Sequence, residues 1–144
     1  MKVYLAGPIF QSEDHECIDW RREARKKLNG IEVFDPMDRD YRGATNENYE
    51  RIVEEDKELI DEAQVLLVNH IKPSAGTSME ILFSWEQHKR VILVSTQEKM
   101  SPWLVYHSNI IYSELDHAIE EINEIYNNDS VIVKYGSFLR TSSG

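Results

Sequence analysis

Two carboxylic acids stand out from the 26 in this 144-residue sequence because of the places they occupy. Asp56 lies in a stretch whose apolar residues Tyr49, Ile52, Val53, Leu59, Ile60 and Ala63 recur at helical spacing, and it falls on the same face. A carboxylate on a buried face is costly unless paired, and its pKa climbs. Such a group can donate a proton near neutral pH, although an edge position or a neighbouring base explains it more simply. Glu80 closes Thr77-Ser78-Met79-Glu80, which matches a capping box with Thr77 as N-cap and Glu80 reaching back to its backbone N–H. Capping and the helix dipole would account for that acid without any chemistry. Tyr4, in an apolar run, is the third candidate, though strand tyrosines are ordinarily core residues with a satisfied hydroxyl. Two carboxyls and a phenol meeting in one crevice would resemble the arrangement that breaks glycosidic bonds.

Whether they meet depends on the elements that carry them. Lys2 to Ala6 is β-rich and stops at Gly7-Pro8, so it reads as a first strand. Ser12 to Leu28 reads as a helix with the stripe Cys17, Trp20, Ala24 and Leu28, closed by Asn29-Gly30. Further strands are expected at Ile31–Phe34, Val65–Val68, Val91–Val94 and Asn109–Tyr112, and further helices at Asn46–Ala63 and Ser78–His88. Met37 to Thr45 is a polar loop, and Ser113 caps a last helix bearing Leu115, Ala118, Ile119 and Ile122. Val131 to Tyr135 reads as a sixth, edge strand or an arm reaching a partner. Alternating strands and helices build right-handed βαβ units over a parallel sheet, and the unbroken runs VLLV and VILV suit strands buried on both faces. The expectation is a flavodoxin-like (Rossmann-like) three-layer α/β sandwich, with five parallel strands in the order 2-1-3-4-5, forming one domain over residues 1–144.

That topology names a place for a ligand before any motif does. Ligands sit outside the carboxyl ends of the strands where strand order reverses, here between the first and third strands. Gly7 to Phe10 and the loop Pro73 to Glu80 meet there, and Gly76 at a helix start would let a hydroxyl-rich or anionic ligand come close. Asp56 poses a geometric condition. If its helix begins at Asn46, the acid lies about 15 Å along it, so the helix must overhang the sheet or start late.

Tyr4-Leu5-Ala6-Gly7-Pro8-Ile9-Phe10, the helix and strand from Asp56 to Val68, and Ser74 to Glu80 followed by Lys89 to Val94 together resemble the nucleoside 2-deoxyribosyltransferase family. The resemblance covers about residues 2–95, with Asn109 a weaker match beyond. It implies that Glu80 attacks C1′ of a deoxyribose, that Asp56 protonates the departing base, and that Tyr4 orients Glu80. It also implies substrate contacts at Gly7, Phe10, Ser74 and Gly76. Asn109 would serve a neighbouring subunit's site, which implies a homodimer or larger assembly. Transferases of this family usually carry an acid where Ser74 stands. A related branch, the deoxynucleoside 5′-monophosphate N-glycosidases, resembles the chain better there, yet tends to have an arginine where Phe10 stands. The 5′ end of the substrate, hydroxyl or phosphate, and the acceptor, base or water, stay open between these two.

Composition narrows the rest. A formal charge of −10 argues against a nucleic-acid or anionic-membrane partner, since either needs a basic stripe. The single Cys17 excludes an internal disulfide, and without a signal peptide or long apolar run the chain reads as cytoplasmic. Asp38 to Gly43 has the outline of a calcium loop but lacks the later acids, so it more simply covers the site with Tyr41 or Arg42 near the base. The five histidines show no zinc spacing, and neither a Walker nor a dinucleotide fingerprint occurs, so no metal or cofactor is expected. A phosphoacceptor receiver would need acids where Gly7-Pro8 and Asn69 stand. A nucleotide-sensing module without catalysis is the rival from another class.

Overall fold

A computed structural model describes residues 1–43 and 46–128. Five strands, β1 (Lys2–Ala6), β2 (Glu32–Phe34), β3 (Val65–Asn69), β4 (Arg90–Val94) and β5 (Ile110–Tyr112), form a parallel sheet in the order β2-β1-β3-β4-β5. The expected flavodoxin-like α/β topology is what the chain adopts. The helices are α1 (Asp14–Cys17), α2 (Asp19–Lys27), α3 (Tyr49–Glu62), α4 (Ala75–Glu86) and α5 (Pro102–Tyr106), with α6 over residues 115–128. The proposed strand from Val131 to Tyr135 lies outside the described residues.

Side-chain alternation along the strands divides the core into two layers. Val3, Leu5, Val65, Leu67, Ile92 and Val94 face one way, against Trp20, Ala24 and Leu28 of the first helical segment and Ala118, Ile119 and Ile122 of α6. Tyr4, Ala6, Leu66, Val68, Val91 and Leu93 face the other way, against Ile60, Ala63, Ile81 and Leu104. Each fully buried aliphatic side chain here contributes about 1.5–3 kcal/mol. This alternation matters for function, because it turns Tyr4 toward α3 and α4, the two helices that carry Asp56 and Glu80.

Three boundaries differ from expectation for local reasons. The single helix expected from Ser12 is broken at Ile18, where the Cys17 carbonyl accepts from the Arg21 guanidinium at 2.7 Å. Helix α3 starts at Tyr49 after a 3-10 turn over Asn46–Asn48. Its C-terminal half is anchored by Ile60 and Ala63, while Tyr49 and Val53 are 68% and 47% exposed. The N-terminal half therefore projects past the sheet, which satisfies both halves of the condition set by Asp56. Helix α4 starts at Ala75, three residues earlier than expected, because Ser74 caps it by accepting from Thr77 N. The short α5 was not anticipated, although Ser101 accepting from Trp103 N and Pro102 in the first turn form a recognisable start signal.

Candidate active site

The carboxyl ends of β1 and β3, the overhanging half of α3 and the start of α4 enclose a crevice of about 780 Å³. Asp56 and Glu80 both line it, delivered by different helices to the point where strand order reverses. Gly7, Phe10, Ser74 and Gly76 line it too. Of the eight residues singled out in the sequence, the structure brings six to this wall and places Tyr4 beneath it. Asn109 is the exception. Its Oδ1 accepts from Val91 N at 2.7 Å, at the amino-terminal end of β4, so its side chain fastens the opposite end of the sheet.

The shift in where α4 begins decides between the two explanations of Glu80. Ser74, not Thr77, is the N-cap, so Glu80 stands six residues into the helix and has no capping role. The residue is half-buried and lines the crevice. Burial leads in raising its pKa to about 7, the Tyr4 hydroxyl pulls it down, the charge of Asp56 adds to the rise, and Arg21 opposes. No cation makes a hydrogen bond or ion pair with Glu80 among the described residues. The Tyr4 hydroxyl is fully buried and faces Glu80, short of the geometry of a completed hydrogen bond. Burial and the two carboxylates hold its own pKa well above the ordinary value.

Asp56 is both paired and set into the crevice. Arg39 Nη2 donates to Asp56 Oδ1 at 2.7 Å, while Nη1 of the same guanidinium pairs with Glu55. Glu55 also accepts from Arg51 at 2.8 Å and from Tyr41 at 2.9 Å, and these bonds hold its pKa down to about 2. For Asp56, burial raises the pKa above the ordinary value despite the opposing hydrogen bond and charge of Arg39. Arg39 was not recognised from the sequence as the partner of this acid. The loop bearing it does cover the site, and Tyr41 and Arg42 line the crevice as expected.

A second arginine was missed entirely. Arg21 is completely buried, with Nε, Nη1 and Nη2 donating to the carbonyls of Leu5, Cys17 and Gly7, and it lies 3.7 Å from Asp35. It thus props the end of β1 against α2, directly behind the crevice. Gly7 is required by the same packing, since a Cβ there would lie 2.9 Å from Trp20 Cζ2 and 3.0 Å from the Asn69 carbonyl. Gly76 differs, because a Cβ there would meet no protein atom within 4 Å, so its missing side chain leaves room in the crevice itself. Phe10 is 83% exposed at the mouth, next to Gln11, which adopts a positive φ of 54°. A non-glycine residue in that region is a local strain of the kind that gathers at sites.

The sequence profile of the nucleoside 2-deoxyribosyltransferase family matches residues 3–128. The chain belongs to that family. Its fold is similar to that of the 2-deoxyribosyltransferase of Bacillus psychrosaccharolyticus, with a TM-score of 0.65 at 19% identity over 85% of this chain and 90% of that one. It is similar also to a conserved protein from Enterococcus faecalis V583, with a TM-score of 0.71 at 17% identity over 85% and 97%. The 2-deoxyribosyltransferase of Leishmania mexicana gives a TM-score of 0.65 at 16% identity over 85% and 97%. No curated protein matches the sequence significantly. No helix among the described residues is long and apolar enough to cross a membrane.

Proposed function

We propose that this member of the nucleoside 2-deoxyribosyltransferase family cleaves the N-glycosidic bond of 2′-deoxynucleosides and passes the sugar to another nucleobase. The observation that carries the reading is the convergence of Glu80, Asp56 and Tyr4 at one crevice, with Glu80 relieved of any capping role. Glu80 attacks C1′, the C1′–N bond pair leaves with the base, and Asp56 hands the departing base a proton that makes it a better leaving group. The incoming base then displaces Glu80 from C1′ and returns its proton to Asp56, so two inversions give net retention. Tyr4 steadies the Glu80 carboxyl from below. Phe10 and Tyr49 offer exposed aromatic surface around the mouth for a flat base, with the half-buried Tyr41 beside them.

Hydrolysis of deoxynucleoside 5′-monophosphates is the second reading, favoured by Ser74 and Gly76 where the start of α4 opens on the crevice. Glu13 and Asp56 line the crevice, and its one lining cation among the described residues, Arg42, is already paired with Asp14 and Asp40, a charge balance that favours a neutral nucleoside over a dianion. Assembly into a homodimer or larger oligomer belongs to the same proposal. It is supported by uncharged, exposed Met79, Trp103 and Tyr106 beside the site. Incubating deoxynucleosides and their monophosphates with and without a second base tests the chemistry. Base exchange without free sugar, abolished in Glu80→Ala, is the expected result. Base release from monophosphates alone selects the hydrolase, and nucleoside binding with neither product selects a sensing role.

A further inference from the structure

The two site carboxyls differ in one structural respect that the reaction does not require. Asp56 holds a charge-assisted hydrogen bond to Arg39, whereas Glu80 has no cation bonded to it among the described residues. Arg39 is itself fixed. Its second arm pairs with Glu55, and Arg51 and Tyr41 secure that acid from two other directions. The guanidinium is thus a fixed charge in the segment after β2, set behind the crevice wall. The other groups that influence Asp56 are Glu55 on its own helix, Arg21 from α2, Glu80 from α4 and Tyr4 from β1.

We propose that Arg39 is a positioning residue that keeps Asp56 ionised and aimed at the crevice in the empty site, so that the single proton of the carboxyl pair rests on Glu80 until substrate arrives. This rests on the transferase reading of the site. Proton and electron counts then close without an outside acid. As Glu80 forms its bond to C1′ it gives up its proton, Asp56 takes that proton on, and the departing base nitrogen receives it with the C1′–N electron pair. Asp56 returns to its ion pair with Arg39. A bare Asp56 would instead compete for the resting proton, and protonation of both acids would disable the nucleophile at higher pH than in the native site.

The test follows the carboxyl carbons of Asp56 and Glu80 by ¹³C NMR across pH, alongside the pH profile of kcat/KM for base exchange. In the wild-type protein Asp56 is expected to titrate below Glu80. Arg39→Gln should raise the Asp56 midpoint, and with it the acid limb of kcat/KM, by about one to three pH units. Arg39→Lys should recover part of that displacement, which a purely structural role would not produce. An Asp56 midpoint above that of Glu80 in the wild-type protein overturns the proposal, as does an unmoved midpoint in a folded Arg39→Gln variant. A wild-type protein that titrates as expected but exchanges no base refutes the reaction rather than the proton's location, so the two failures are distinct.

Discussion

Replacing Glu80 with glutamine should make the protein more stable in mildly alkaline solution. The folded chain holds the Glu80 proton up to about pH 7, whereas the unfolded chain releases it near 4.5. Between those values the unfolded state binds fewer protons than the folded one, so stability falls as pH rises and then levels off above 7. A separation of about 2.5 pH units corresponds to a native-state penalty of up to about 3 kcal/mol once the group is ionised. Glutamine has nearly the shape of the protonated acid and never ionises, so Glu80→Gln escapes that penalty. Urea denaturation of both proteins at pH 5, 6, 7 and 8 gives the comparison. The curves should nearly coincide at pH 5 and separate in favour of glutamine through pH 7, while base exchange is lost. A difference that stays constant from pH 5 to 8, or a glutamine variant less stable at pH 8, would refute the view that burial holds this carboxyl protonated.

Four further substitutions carry expectations of their own. Arg21→Met strands the carbonyls of Leu5, Gly7 and Cys17 and should cost about 3–5 kcal/mol in chemical denaturation. Asp35→Asn should cost far less, because the pair is long at 3.7 Å and asparagine can still accept from Met37 N; equal losses would assign the effect to the ion pair instead. Tyr4→Phe removes a buried hydroxyl without a completed hydrogen bond, so stability should hold or rise slightly while the alkaline limb of kcat/KM moves up with Glu80. A large loss of stability would show that the hydroxyl is a structural donor. Asn109→Ala gives up its bond to Val91 N and should cost about 1 kcal/mol in melting experiments, with exchange per folded molecule unchanged.

The parts of the site that periodicity describes were legible in the residues. The runs VLLV and VILV mark strands buried on both faces, and both of their faces are covered, but which way Tyr4 points is read only from the assembled sheet. The Cys17, Trp20, Ala24 and Leu28 stripe is buried as spaced. What periodicity cannot describe is a partner chosen by geometry. Arg21 lies four residues after Cys17 and three before Ala24, at the edge of that stripe, and it is buried because the carbonyls of Leu5, Cys17 and Gly7 accept from its guanidinium. Arg39 lies in a loop whose charges looked like a metal site or a cover, and only the overhang of α3 brings Asp56 within its reach. The start of α4 was ambiguous for a related reason. Ser74 and Thr77 are both acceptable caps, and the choice depends on which backbone N–H groups remain unbonded, something residue type alone does not record.

That ambiguity bears on how an acid is recognised as functional. Asp56 shows that the plain and the chemical explanations are not exclusive, since it is ion-paired to Arg39 and also forms part of the crevice wall. Pairing alone would therefore have dismissed the wrong residue. Glu80 shows the converse, because the capping role that best explained it disappears once Ser74 takes the cap. What remains is a carboxyl whose burial raises its pKa to about 7, with no cation bonded to it to offset the cost. A fold gains no stability from such a group when it ionises, whereas a nucleophile directed at an oxocarbenium-like carbon needs a poorly solvated carboxylate. Glu80 is thus the residue at which stability and the proposed chemistry make opposite demands, and the site geometry favours the chemistry.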